Sequence, residues 1–373
     1  MSFRKSGDKS PKTIRSHIFR PKSTYYNILH FDIFSKLEFR TLTFRMELET
    51  NFRLTFTTKG NQSYSYVHVP SLTRPTILLL HGFPSHSEDW YYQIQYFSRQ
   101  GYGIVAPDLI GYGYSSKPDD VLKYRLRSAS DDVIALLDSL GLCNNVIGIG
   151  HDTGSTLLSR LAAYQPNRWA ALIFLAVGPA KMGTPFDVNA INQLTKEMMG
   201  HEMLGYMPWI GGDTDAQAVL EKHAESAMTL MFCADPTLWE EWFRPAGRMK
   251  EFVSQDKRAD IGAWYSKQLR QKHLQVFGRE GGYRGAALWY RMWMENLFLP
   301  DEKDVQNCTI IRPSLLVVPE ERSGAHEEQK KMLKEWFPML QTVLIQETGH
   351  WLHLEKAAEV NEAIGKFLDD VVR

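Results

Sequence analysis

Long apolar runs are missing from this chain. The longest, such as Ile77–Leu80 and Leu172–Val177, fall far short of the ~18 residues a membrane helix needs, so the sequence reads as soluble, with no membrane span. Net charge is missing too: 43 Lys and Arg balance 43 Asp and Glu, which argues against a uniformly basic nucleic-acid binder. Cysteine is scarce. Cys143, Cys233 and Cys308 are odd in number and far apart, with no CxxC and no Cys/His metal spacing, so neither a disulfide framework nor a zinc site is supported. The expectation is buried free thiols in a reducing compartment. Repeats and low-complexity tracts are also lacking, and 43% hydrophobic residues exclude disorder and collagen for the bulk of the chain.

What is present is unevenly arranged. Residues 1–45 hold ten Lys and Arg against three Asp and Glu, so the remainder carries the compensating excess of acid. This basic, Ser-rich leader fits a mitochondrial transit peptide by composition. The favoured reading is plainer: a floppy extension, or coding sequence ahead of a start at Met46. Residues 1–48 are therefore expected to lack fixed structure. The expected location is cytoplasmic, with organellar import by the basic segment as the alternative.

Alternating residues from Phe52 to Phe56 and from Tyr64 to Val67 predict two antiparallel edge strands around the turn Lys59–Asn61. Beyond them, apolar strands predicted at 76–80, 103–106, 145–149 and 171–177 alternate with helices at 87–99, 127–140 and 156–164. Fully apolar strands separated by helices predict a mainly parallel sheet covered on both faces. The alternation stops over 179–300, which holds ten of the fourteen Met and six of the ten Trp. It resumes with strands at 314–318 and 342–345 and helices near 325–336 and 356–368. The organisation is thus an α/β core, 49–178 and 301–373, interrupted after the sixth strand by a helical insert, 179–300.

The segment Gly150-His151-Asp152-Thr153-Gly154 joins a predicted strand to a predicted helix. Glycines placed symmetrically about residue 152 have the spacing of a nucleophile elbow, where a sharp turn demands small neighbours. The central residue is Asp, and Ser155 lies three positions too late to replace it. The competing view is that Asp152 only caps the following helix. A carboxylate nucleophile suits displacement at an sp3 carbon and leaves an alkyl ester that water must hydrolyse with help from a base and an oxyanion hole. His350, in Thr348-Gly349-His350-Trp351, is the candidate base. The loop His81-Gly82-Phe83-Pro84 offers the Phe83 N–H as an oxyanion donor beside that of Thr153.

These runs, with Pro107-Asp108-Leu109-Ile110-Gly111-Tyr112-Gly113 and the insert's Gly282-Tyr283-Arg284-Gly285 and Trp289-Tyr290-Arg291, resemble the α/β-hydrolase-fold epoxide hydrolases, especially the soluble fungal type, over about residues 50–373. The resemblance implies an α/β-hydrolase fold with a lid over the site and no metal or organic cofactor. It implies that Tyr290 and Tyr206 hold and protonate an epoxide oxygen. It implies a small-molecule epoxide as substrate, in a monomer or homodimer. The Met- and Trp-rich lid points to a bulky apolar epoxide, in specialised metabolism, with Trp209, Trp289 and Trp351 expected among the substrate contacts.

One position departs from the family. The acid that orients the histidine is expected after the strand 314–318, yet ungapped counting places Arg322 there. Glu321 is the expected substitute and Glu320 the runner-up. Two other readings stand beside this one. Haloalkane dehalogenases resemble this chain but carry a Trp directly after the nucleophile and often an Asn in the His-Gly loop, where Thr153 and Phe83 stand. A non-hydrolytic binding protein on the same scaffold would draw support from Arg322, against Asp152, His350 and Tyr290.

Overall fold

The computed structural model describes residues 53–305, 308–320, 331 and 333–372, all within the unit Glu49–Arg373. The expectations for residues 1–48, for most of the helix near 325–336, and for Glu321 and Arg322 lie outside the described residues.

The first two strands, β1 (Arg53–Thr57) and β2 (Ser63–Val69), pair antiparallel. Asn61 adopts a left-handed conformation in their turn, φ 61°, which its short polar side chain tolerates. Then come β3 (Thr76–Leu80), α1 (Tyr91–Arg99), β4 (Gly103–Pro107), α2 (Leu126–Ser139), β5 (Val146–His151), α3 (Thr153–Tyr164) and β6 (Trp169–Leu175). The sheet order is β1-β2-β4-β3-β5-β6, continued by β7 (Ser314–Pro319) and β8 (Leu340–Ile345). From β4 onward every pairing is parallel. Strands β3, β4 and β5 are buried along their whole length, as the unbroken apolar runs require of a sheet covered on both sides. Ile77, Ile104, Ile147, Ile173 and Val317 form one layer of core with Ile364 and Phe367 of α12 (Ala357–Val371).

Most elements begin or end within two or three residues of expectation, and two differences lie beside the elbow and the loop after β3. The predicted helix 87–99 opens with a 3₁₀ turn, Ser87–Trp90, because His86 accepts from the Glu88 N–H while Asp108 takes the Ser87 N–H. The helix predicted from 156 starts at Thr153, since the elbow turns straight into α3.

Between β6 and β7 the chain forms α4 (Val188–Met199), α5 (Met207–Gly212), α6 (Ala216–Lys222), α7 (Ala224–Met231), α8 (Arg248–Ser254), α9 (Lys267–Phe277) and α10 (Arg284–Met294). Trp239–Phe243 makes a turn of π-helix between α7 and α8. The only pairing of extended chain among the described residues here is the bridge Cys233–Ile261. Both ends of the insert are anchored to α3. Arg160 Nε donates to Glu302 (2.7 Å) and its Nη1 to the Ala180 carbonyl (2.7 Å), while Glu302 also accepts from the Gly183 N–H (2.5 Å). Both charges are buried, so each depends on the other to be tolerated.

The cysteines correct one expectation. All three are free, but only Cys233 is buried; Cys143 is exposed and Cys308 half-buried. None of the described helices is long and apolar enough to cross a membrane.

Candidate active site

The order of strands reverses about β3 and β5. In an open parallel sheet this opens a crevice beyond the carboxyl ends of those strands. Leu80 at the end of β3 is level with Gly150 of β5, so the loops that follow meet at once. Asp152 sits on the elbow with φ 54° and ψ −124°, a conformation that costs a non-glycine residue strain. The glycines answer to close approach. A Cβ on Gly150 would run into the backbone of Gly154 and Ser155, one on Gly154 into the backbone of Leu80, and one on Gly82 into the Asp152 carboxylate.

The two oxygens of Asp152 have different surroundings. Oδ1 accepts from the Phe83 N–H at 3.0 Å and from the Thr153 hydroxyl at 2.9 Å. Oδ2 lies 3.6 Å from Nε2 of His350, too far for a direct hydrogen bond. Each of the two side chains keeps 20% of its surface accessible, so both are reachable by a ligand. Burial works to raise the Asp152 pKa. The His350 and His151 charges and the backbone N–H donors outweigh it, so Asp152 is held below the usual carboxylate range. Burial pushes His350 below the ordinary imidazole value, partly offset by Asp152 and Glu355.

The loop after β3 is stapled to the one after β4. His81 donates from Nδ1 to the Gly82 carbonyl (2.9 Å), and its Nε2 accepts from the Leu109 N–H (3.0 Å). Asp108 accepts from the Ser87 N–H (2.9 Å), the Tyr114 N–H (2.9 Å) and Arg53. This is the part that the run 107–113 plays: it holds the floor beneath the Phe83 loop.

The insert supplies the opposite wall. Tyr290 on α10 is 6% exposed and meets Phe83 edge-on, ring centres 5.0 Å apart. Tyr206, directly before α5, meets Tyr290 edge-on at 5.7 Å and stacks on Phe243 at 4.3 Å. Burial and the Asp152 charge raise both phenol pKa values, so both keep their protons at neutral pH. The structure thus brings Asp152, His350, Phe83, Thr153, Tyr206 and Tyr290 into one locality.

The other expected residues fall differently. Glu320 is exposed, and no hydrogen bond or ion pair joins it to His350. Its N–H serves the sheet, donating to the Ile345 carbonyl. Trp289 is not on the ligand side. It is 1% exposed, donates to the Ile110 carbonyl (2.9 Å) and meets Tyr124 edge-on, which locks α10 to the core. Trp209 is buried at 5%. Trp351 stacks on Phe232 at 4.4 Å, donates to the Met231 carbonyl (2.8 Å) and stands beside His350.

Three neighbours of the site were not singled out from the sequence. Trp239 and Phe243 come from the π-turn, where the irregular winding places Trp239 5.4 Å from the His350 ring and Phe243 on Tyr206. Nothing in their spacing distinguishes them from other insert aromatics. Glu355 accepts from the N–H groups on either side of His350. A carboxylate one helical turn after a loop that carries a candidate base is the signal that would have found it.

The family described as alpha/beta hydrolase fold matches residues 75–357. Bifunctional epoxide hydrolase 2 of Sus scrofa is 28% identical over 304 residues, which is 80% of this chain and 52% of that protein. The chain therefore spans about half the length of the mammalian relatives it matches. Epoxide hydrolase A of Mycobacterium tuberculosis is 26% identical over 321 residues, 79% of this chain and 90% of that protein. Epoxide hydrolase srdG of Neurospora crassa is 25% identical over 304 residues, 79% and 86% respectively. Among solved structures, an epoxide hydrolase from an endophytic Streptomyces superimposes with a TM-score of 0.73 at 22% identity, covering 85% of this chain and 95% of that one. At that identity the likeness speaks for the fold.

Proposed function

The chain belongs to the alpha/beta hydrolase fold family, and from that premise we propose that it is an epoxide hydrolase, adding water to an epoxide to give a vicinal diol. The single observation that carries the reading is the unequal treatment of the two Asp152 oxygens. Oδ1 is held by the donors of Phe83 and Thr153, while Oδ2 accepts no hydrogen bond among the described residues and lies toward His350.

Oδ2 attacks an epoxide carbon. The ring C–O bond breaks as the new C–O bond forms, and the departing oxygen takes a proton from Tyr290 or Tyr206. Asp152 is then an ester whose carbonyl oxygen is Oδ1, already held by the Phe83 N–H, with the Thr153 N–H as the second proposed donor. Neutral His350 takes a proton from water, and the hydroxide attacks Cγ. The negative charge gathers on Oδ1, where those N–H groups stabilise it. Collapse breaks the Cγ–Oδ2 bond, and the departing alkoxide takes the remaining water proton from the new carboxyl OH to complete the diol; the proton on His350 returns to the phenolate, leaving Asp152 as a carboxylate again. The depressed pKa of His350 keeps it in the neutral, accepting form at pH 7.

The walls favour a bulky apolar epoxide. Phe83, Tyr206, Trp239, Phe243 and Tyr290 form a chain of ring contacts that reaches His350 at Trp239, and the polar groups among them are the two phenols and the Trp239 N–H. Glu321 remains the proposed acid behind His350, and a role in specialised metabolism in the cytoplasm the proposed setting. A dehalogenase reading is disfavoured, because the position after Asp152 is Thr153, whose hydroxyl is bound to Asp152 itself.

The test is diol formation from small and bulky epoxides, with wild type beside Asp152→Ala and His350→Ala. Turnover by wild type alone, with His350→Ala gaining the mass of the epoxide, supports the reading. Wild-type diol formation that survives Asp152→Ala rejects it.

A further inference from the structure

His350 makes no side-chain hydrogen bond among the described residues, and the nearest runner-up acid, Glu320, does not reach it. Its backbone is gripped on three sides instead. Glu355, the last residue of α11 (Leu352–Glu355), turns its half-buried carboxylate back over the start of its own helix. Oε2 accepts from the Gly349 N–H at 2.6 Å and from the Thr348 hydroxyl at 3.1 Å, and Oε1 accepts from the Trp351 N–H at 2.9 Å. The His350 carbonyl in turn accepts from Nε2 of His151 at 2.8 Å, and His151 is the residue just before Asp152. The helix that begins after Trp351 has no side-chain cap of its own, so these N–H groups would otherwise be orphaned.

We infer that Glu355 is a positioning residue for the hydrolytic half of the reaction: its carboxylate brackets His350 through the N–H groups of Gly349 and Trp351 and so sets the imidazole against Asp152. The inference rests on the reading of Asp152 as nucleophile and His350 as base. Two amides held by one carboxylate fix the rotation of the peptide unit before Gly349 and of the one between His350 and Trp351. His151 fixes the carbonyl to the elbow, so the base and the nucleophile share one frame. The carboxylate also favours the protonated imidazole, partly offsetting the burial that disfavours it. Attack by Asp152 on the epoxide needs none of this. Activation of water against the ester does.

The experiment is single-turnover kinetics of wild type and Glu355→Gln, full-length chain, with an epoxide that wild type converts to diol. Ester on Asp152 and free diol are followed by quench and mass spectrometry across pH 5–9. The amide keeps the shape but turns an N–H donor toward an N–H and removes the charge. The expected result is ester formation within about 3-fold of wild type and ester hydrolysis slowed about 10- to 100-fold, the scale of a small misplacement of a catalytic group. The acid limb of the hydrolytic step should also move to lower pH, which a purely structural carboxylate would not cause. Equal slowing of both steps, no slowing, or a limb that stays in place overturns the inference. If Glu355→Gln does not fold, Thr348→Val is read in its place. It removes one of the three donors, and selective slowing of ester hydrolysis by about 3-fold supports the inference while unselective or absent slowing overturns it. A wild type that makes diol without any Asp152 ester overturns the functional reading itself, a result distinct from these.

Discussion

The two walls of the site are built by different means. On the sheet side, Asp152, Phe83 and His350 are positioned by backbone hydrogen bonds and by glycines whose replacement would collide with main chain. On the insert side, Tyr206, Tyr290, Trp239 and Phe243 are positioned by ring against ring. Backbone hydrogen bonds are directional and admit little adjustment. Aromatic packing is worth about 0.5–1.5 kcal/mol per pair beyond burial and tolerates several geometries. The rigid wall suits bond making at a fixed carbon, and the adaptable wall suits accepting a ligand of variable shape.

The contrast can be broken at either wall. Asp152→Ala removes the proposed nucleophile, and diol formation should fall by ~10⁴-fold or more, as for loss of a nucleophile elsewhere; a steady-state diol assay checks it. Tyr290→Phe and Tyr206→Phe should each cost less, about 10²-fold, because either phenol can protonate the oxygen. The double variant should approach 10⁴-fold, the upper range for general acid catalysis, and the loss should fall on ester formation in single-turnover kinetics. A double variant no worse than the weaker single would mean that only one tyrosine donates.

Cutting the tie between the walls tests stability rather than chemistry. Glu302→Ala leaves Arg160 charged and buried without its carboxylate partner and removes the acceptor of the Gly183 N–H, leaving the Arg160 bond to the Ala180 carbonyl. Denaturation in urea should show a loss of about 3–5 kcal/mol, the usual cost of breaking a buried ion pair.

The smallest effect is expected where the insert presses on the core at Asp89. Burial beneath Tyr265 raises its pKa from 3.8 to about 7, against the opposing hydrogen bond from Ser85. A carboxyl with a raised folded-state pKa contributes stability below its unfolded value and loses it as pH rises through about 7. Wild type should therefore weaken between pH 5 and pH 9 relative to Asp89→Asn, whose amide does not ionise. Urea melts at the two pH values that move in parallel would contradict this.

Much of the sheet was legible because its strands are short, apolar and separated by helices, a pattern with few alternative architectures. The 3₁₀ entry to α1 was not, since it depends on Asp108 from another loop taking the Ser87 N–H. The elbow was legible because its constraint is local: a Cβ at 150 or 154 meets backbone within a few residues or on the adjoining strand. Tyr290 was legible in its local run, whereas Trp239 and Phe243 were not, because their relevance arises from a π-turn that meets His350, more than a hundred residues away, and Tyr206. Trp289 differs from expectation for a reason of helix geometry. A Trp beside a candidate Tyr on a helix points to a different face, here toward Ile110. Glu320, the runner-up two positions before the expected one, has its N–H taken by the sheet and its side chain exposed.

By itself, then, the amino-acid sequence determined the sheet, the elbow with its Asp, and the histidine after the last strand. Each follows from apolar periodicity or from steric limits within a few residues. Only the tertiary structure decided that Oδ1 and Oδ2 of Asp152 differ, that Trp239 borders His350, and that Glu355 holds the His350 loop. Those depend on which atoms of distant segments come within hydrogen-bond or van der Waals range, and no pattern along a chain encodes a distance across the sheet.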